Sequence, residues 1–166
     1  MQGISMDKLR AAQCPEAVEA VVAAEGRRMV ADQILLPEVY SAMDTRPVAA
    51  FYTSALGKRV LASPKVLREC PFNYEVPAGL VVEQWTGEKK VILQGMIDCC
   101  FLENDGWILL DYKTDRWRTE SKREGLVDRY RIQIDIYARA LKALTGKPVT
   151  EKILCFLSMG ENIEMV

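Results

Sequence analysis

Two apolar runs joined by four residues of turn chemistry constrain this chain more than any other feature. They read VILQGMIDCCFL (Val91–Leu102) and WILLDYKT (Trp107–Thr114), with Glu103-Asn104-Asp105-Gly106 between them. Asn, Asp and Gly tolerate the left-handed backbone of a tight hairpin, so the runs are expected to be neighbouring antiparallel strands. Folding the chain symmetrically about the link puts Asp98 directly opposite Asp111. Lys113, two residues along, points to the same side as Asp111. Like charges opposed across a sheet repel. Among Ile97, Phe101, Ile108, Leu109 and Leu110 they call for a cation.

A length of 166 residues suits one domain. Such a chain buries roughly two-thirds of its unfolded surface and needs no disulfide or structural metal to fold. Apolar residues make up 49% and charged residues 27%, which fits a globular chain and not a disordered one. With a net charge of −1, any nucleic-acid binding must come from a local patch. No apolar run reaches the ~20 residues of a membrane span, and no signal peptide opens the chain, so a soluble cytoplasmic protein with no membrane partner is expected. The five cysteines (Cys14, Cys70, Cys99, Cys100 and Cys155) form no C-x-x-C and are odd in number. They are expected to be reduced, several of them in the core. Histidine is absent, which excludes Ser-His-Asp, Cys-His and histidine-zinc chemistry from this chain's own residues.

Along the chain, Met1–Gln13 carries little signal and reads as the tail of something longer. Pro15 followed by EAVEAVVAAEG predicts a helix with Gly26 as its stop. Residues 27–43 mix helical signals with Pro37. Asp44-Thr45 caps a predicted helix from Arg46 to Leu56, which either ends at Gly57 or continues through Leu61. Val66–Val76 reads as a strand, and Pro71 argues for an edge or a bulge. Leu80–Trp85 is a candidate extra pairing segment before the central hairpin, and Arg116–Gly125 reads as an exposed loop. Leu126–Thr145 predicts a helix with the stripe Tyr130, Gln133, Ile134, Tyr137, Ala140, Leu141 and Leu144, stopped at Gly146. Lys152–Ser158 follows as a core strand, and Gly160-Glu161-Asn162 turns it toward a short partner.

Two carboxylates offer hard oxygen ligands, which suit Mg²⁺, Mn²⁺ or Ca²⁺ over zinc. Lys113 beside them can orient water or contact a phosphate. A lone D-x-K also reads as a strand salt bridge; the opposed second aspartate and apolar surroundings weigh against that. Tyr137 alone reads as core, whereas Gln133 in an apolar stripe needs hydrogen-bond partners.

The segments GMID (Gly95–Asp98), DYKTD (Asp111–Asp115) and QIDIYARAL (Gln133–Leu141), with RECPF (Arg68–Phe72), resemble the RecB-like nucleases of the PD-(D/E)xK superfamily. The branch most similar is the C-terminal nuclease domain of AddAB-type bacterial helicase–nucleases. The resemblance covers roughly the whole chain and is strongest from Arg68 to Phe156. It implies an α/β fold with an α-β-β-β-α-β core, a mixed sheet flanked by helices. It also implies that residues 1–166 form one nuclease domain excised from a larger helicase–nuclease, with a helical part over 1–62 and the catalytic sheet and helix over 63–166.

On this resemblance Asp98, Asp111 and the carbonyl of Tyr112 bind Mg²⁺, or Mn²⁺, and Lys113 is the catalytic lysine. Gln133 and Tyr137 match a Q-x-x-x-Y motif that supports the site or the DNA, and Glu69 is a further candidate at the acidic position of R-E-x-P-F. The family places a metal-binding histidine in an H-x-x-M-Q stretch, whose end Met1-Gln2 resembles, so that histidine is expected upstream of residue 1. Arg116, Trp117, Arg118, Lys122 and Arg123 form a basic segment with an aromatic, suited to single-stranded DNA. The same residues, balanced by Asp115, Glu120, Glu124 and Asp128, equally suit a solvated loop.

The expected function is metal-dependent exonucleolytic hydrolysis of DNA phosphodiesters in double-strand-break repair. DNA is the expected substrate, and the B subunit of the helicase/nuclease is the expected heterodimer partner. No G-x-x-x-x-G-K-[ST] occurs, so ATP use is expected only in missing helicase domains. Two alternatives stay open: a non-catalytic DNA-binding or interaction module of the same fold, and a stand-alone nuclease.

Overall fold

The structure, a computed structural model, describes residues 3–12, 14–80 and 89–166. Five helices come first: α1 (Met6–Ala11), α2 (Pro15–Ala31), α3 (Pro37–Ala42), α4 (Arg46–Thr53) and α5 (Ala55–Ala62). Then follow β1 (Val66–Pro77), a 3-10 turn (Ala78–Leu80), β2 (Lys90–Glu103), β3 (Gly106–Lys113), α6 (Glu120–Thr145), β4 (Val149–Phe156) and β5 (Glu161–Glu164). The strands form one sheet in the order β1-β2-β3-β4-β5. β2 and β3 are antiparallel. β3 and β4 run in the same direction, bonded from Trp107 N to Pro148 O at one end and from Leu157 N to Lys113 O at the other. The expected mixed sheet with flanking helices is therefore present. The candidate pairing segment Leu80–Trp85 falls largely on residues 81–88, outside the described residues. No helix among the described residues is long and apolar enough to cross a membrane. All five cysteines are free, with Cys99, Cys100 and Cys155 buried.

Contacts group the chain into two compact units. The first comprises Met1–Val66, Tyr112–Arg116 and Cys155–Ile163. Its helices bury Leu9, Val18, Val22, Ala49, Phe51, Tyr52, Leu56 and Val60. Arg10 ties α1 to the end of α5, donating to Leu61 O at 2.9 Å and Ser63 O at 3.2 Å, where helix carbonyls lack partners of their own.

Of two glycines in this unit, Gly26 departs from the expectation and Gly57 follows the alternative of a chain that stays helical through Leu61. Gly26 does not stop α2, which continues to Ala31. A Cβ at Gly26 would collide with the ring of Tyr40, whose hydroxyl donates to Ala23 O at 3.0 Å, so this glycine makes room for α3. Gly57 lies inside α5, with the space for its missing Cβ taken by Phe51 O. The break falls at Ser54, which ends α4 in extended backbone and caps α5 by accepting from Gly57 N at 3.1 Å.

The second unit comprises Leu67–Asp111, Trp117–Leu154 and Glu164–Val166. β1 lies at the sheet edge, where Pro71 interrupts no central ladder. Within it Glu69 has φ 47°, in the left-handed region that non-glycine residues seldom adopt. The β2–β3 link is a two-residue turn at Asn104 and Asp105, with φ 48° and 65°, the signature of type I′. α6 begins at Glu120, so the second half of the expected Arg116–Gly125 loop is helix. Thr119 Oγ1 accepts from Lys122 N at 3.4 Å, and Arg123 pairs with Glu120 at 2.9 Å. The polarity of this stretch is that of an exposed first turn. Leu126, Ile134, Ala140 and Leu141 are buried, but Leu144 is 54% exposed. Gly146 closes the helix at φ 70°, as expected.

The glycines separate into opposite cases. Gly57→Ala should destabilise the chain by about 1–3 kcal/mol, because a fixed backbone oxygen occupies the space. Gly125→Ala, inside α6 with nothing within 4 Å, should stabilise it by about 0.5–1 kcal/mol. Thermal melts of the two variants check both signs.

Candidate active site

The ladder between β2 and β3 runs from Glu103↔Gly106 through Phe101↔Ile108 to Cys99↔Leu110. The ladder ends at Cys99↔Leu110, and Asp98 and Asp111 are the next residue of each strand. β3 is buried from Gly106 through Asp111, on both of its sides. Asp111 is 2% exposed, and its Oδ2 accepts no hydrogen bond from a described residue, although the residue as a whole has other interactions. Asp98 is half-buried. An ionised carboxylate removed this far from water is costly without compensating charge.

Tyr112 and Lys113 follow on the same strand and belong to the first unit. There the Tyr112 ring packs edge-to-face on Phe51 with centroids 5.3 Å apart. Lys113 is half-buried, and its carbonyl accepts from Leu157 N at 3.0 Å. Side-chain packing at Tyr112 and a strand bond at Lys113 thus hold the end of β3 from within that unit.

Gln133 and Tyr137 form a pair, with Gln133 Nε2 donating to Tyr137 Oη at 2.9 Å. The Tyr137 ring meets Phe72 edge-on, centroids 5.3 Å apart. A Cβ on Gly95 would lie 2.6 Å from Phe72 Cζ and 3.4 Å from Tyr137 Cε1. β1, β2 and α6 therefore meet at one point. Along β2 the odd-numbered residues from Val91 to Cys99 are the better buried, and the even-numbered ones from Lys90 to Met96 are exposed. Gly95 belongs to the first set and Asp98 to the second. The Tyr137 ring thus packs on the Gly95 side of the strand that carries Asp98, and Gln133 bonds its hydroxyl.

Glu69 is half-buried within β1. Arg116 and Arg118 are exposed and Trp117 is half-buried, all in the connection after β3. Lys122 and Arg123 lie on the first turn of α6. Arg116 is near an anion: the Asp44 carboxyl is held below its usual range chiefly by hydrogen bonds from Arg46, with Arg116 adding a smaller Coulombic pull. Phe72 and Gly95 have structural tasks that reading residue types alone misses. Their signal was present in the phrases RECPF and GMID, which motif matching treats as labels and packing explains.

The chain's own donor set at Asp98 and Asp111 is all oxygen, since histidine is absent, and it suits a hard divalent cation. Among the described residues, no three His, Cys, Asp or Glu side chains gather as a metal cage. Mg²⁺ fits such a sparse set, because it is held by one or two carboxylates and keeps several waters.

If Gly95 is the seat of the Phe72–Tyr137 pair, Gly95→Ala should destabilise the chain by about 1–3 kcal/mol. Tyr137→Phe, which keeps the ring and removes one hydrogen bond, should cost only about 0.5–1.5 kcal/mol. Urea denaturation of the two variants distinguishes ring packing from the hydroxyl.

Comparison with known proteins agrees with this geometry. The family model described as PD-(D/E)XK nuclease superfamily matches residues 2–163. The chain is 36% identical, over 99% of its length, to the A subunit of the ATP-dependent helicase/nuclease of Desulforamulus reducens, covering 13% of that protein. It is 38% identical over 87% of its length to the same-named protein of Ruminiclostridium cellulolyticum, covering 12% of it. With that of Acetivibrio thermocellus it shares 41% identity over 80% of its length, covering 11% of the relative. The chain thus spans about an eighth of the length of these relatives. The ordered strands and a match over nearly every residue lead to one assignment: this chain belongs to the PD-(D/E)XK nuclease superfamily.

Proposed function

We propose that this chain is a divalent-metal-dependent deoxyribonuclease, hydrolysing phosphodiesters exonucleolytically within an ATP-dependent helicase–nuclease that processes double-strand breaks. The observation that supports the reading is the β2–β3 register: its last pair, Cys99↔Leu110, leaves Asp98 and buried Asp111 as the next residue of each strand, with Lys113 two residues on. Two facing carboxylates gain nothing from each other and serve a cation. Asp98, Asp111 and the Tyr112 carbonyl hold Mg²⁺ or Mn²⁺ in this reading. A bound ion supplies Lewis acidity toward the phosphoryl oxygens.

The chain's residues do the rest. By strand alternation Lys113 extends to the side of Asp111, where its ammonium orients the scissile phosphate and offsets charge as water adds to phosphorus and the ester oxygen leaves. Gln133 and Tyr137 act as positioning residues that fix β2 from behind. Arg116, Trp117, Arg118, Lys122 and Arg123 hold the DNA by phosphate contact and stacking. Glu69 has no role in this scheme. ATP hydrolysis and pairing with the B subunit of the helicase/nuclease belong to the longer protein, of which the A-subunit relatives are examples.

Asp111→Ala and Lys113→Ala should each lower Mg²⁺-dependent cleavage of single-stranded DNA by the intact complex, on the order of 10²-fold or more. Unwinding by the same variants should be unchanged. Cleavage of both strands at the original rate by either variant overturns the proposal.

A further inference from the structure

We propose that the groove between α6 and the start of β4, in the second unit, docks an acidic, partly apolar peptide segment of a partner protein. This is independent of the nuclease chemistry. Asp135, Ala138, Arg139 and Lys142 succeed one another at helical spacing along α6, and Pro148, Val149 and Lys152 complete the lining around about 370 Å³ of open space. That volume falls in the range of ordinary ligand pockets. Arg139 is turned by roughly 200° around the helix from Tyr137, two residues before it. The groove is thus separate from the place where Tyr137 meets Phe72 and Gly95.

The charges in the groove do not balance. Its carboxylate, on Asp135, stands four residues before Arg139, where the two would ordinarily pair. It accepts instead from Lys152 Nζ at 2.8 Å, across to β4. Arg139 and Lys142 are then left without a carboxylate among the described residues. They are exposed, three residues apart, and repel each other. The negative end of the helix accounts for Lys142, in the last turn, but its influence does not reach back to Arg139. The whole chain has a net charge of −1, so these cations are a local feature that steers an anion here. A carboxylate suits the planar fork of Arg139, and Ala138, Pro148 and Val149 offer apolar wall beside it. A nucleic-acid strand carries a charge at every phosphate and would bring one up to Asp135. A peptide can set an apolar side chain there and its carboxylates on Arg139 and Lys142.

The test measures, by fluorescence anisotropy at low salt and with a chelator present, binding of this chain to three labelled probes. They are a peptide of alternating Glu and Leu, the same peptide with Gln for Glu, and oligothymidylate. Both positions are exposed and Ala favours helix, so Arg139→Ala/Lys142→Ala should fold as the original chain does. The Glu peptide should bind the original chain, and the double variant about tenfold more weakly, in line with the loss of two exposed charged contacts. The Gln peptide should bind the original chain no better than the Glu peptide binds the variant. Arg139→Gln, which keeps a long side chain and removes the charge, should alone weaken Glu-peptide binding by about threefold. No binding of the Glu peptide, or equal binding by the original chain and the variants, overturns the docking site. An equal loss of oligothymidylate binding in the double variant also overturns it, assigning the groove to nucleic acid. Self-association in sedimentation that only the original chain shows overturns it as well, assigning the groove to a second copy.

Discussion

The two-residue turn at Asn104 and Asp105 decides where the chemistry lies. Both residues occupy the left-handed region, so the strands leave the turn with matched twist and one register. A slip of one residue would move every side chain of β2 to the other side of the sheet. Asp98 would then enter the apolar layer that holds Ile97 and Cys99, both 0% exposed. Burial of β3 on both sides makes such a slip expensive, and it holds the Asp111 carboxyl where water cannot serve it. Turn and burial together leave Asp98 and Asp111 as the next residues beyond the last pair of the ladder, where the proposed oxygen site lies.

Behind that site the second unit is built to keep β2 in place. The Phe72 ring from β1 and the Tyr137 ring from α6 meet edge-on over the missing side chain of Gly95. The arrangement explains why a glycine stands three residues before the aspartate and why an aromatic closes the first strand's motif. It assigns the Q-x-x-x-Y pair a mechanical task, with the glutamine fixing the tyrosine hydroxyl at 2.9 Å. The division of labour along β2 follows from strand alternation, with one side packed for rigidity and the other left open toward Asp98.

Much of this was legible in the sequence because it rests on local chemistry. The turn residues, the alternating strands, the Gly146 stop and the edge position implied by Pro71 each depend on a few neighbouring residues. What escaped depends on contacts distant in sequence. Gly26 reads as a helix stop until Tyr40 is seen to occupy its empty side, and Gly57, left open between stop and continuation, is decided by the close approach of Phe51 O. The start of α6 escaped because a charged first turn and a charged loop have similar compositions; the Thr119 cap is the distinguishing detail. Leu144 lies on the predicted stripe, yet it is 54% exposed, since periodicity says which residues share a side and not which of them find a partner. The side of β2 that Tyr137 touches likewise required the packing of three elements.

The central claim, that Asp98 and Asp111 together hold a hard divalent cation, is tested most directly by calorimetric titration of Mn²⁺ into this chain and into its Asp98→Asn and Asp111→Asn variants. The account predicts one bound ion for the original chain and at least about tenfold weaker binding for each variant, since each loses half of a two-carboxylate donor set. Binding that is absent from the original chain, or that survives both substitutions undiminished, would contradict it.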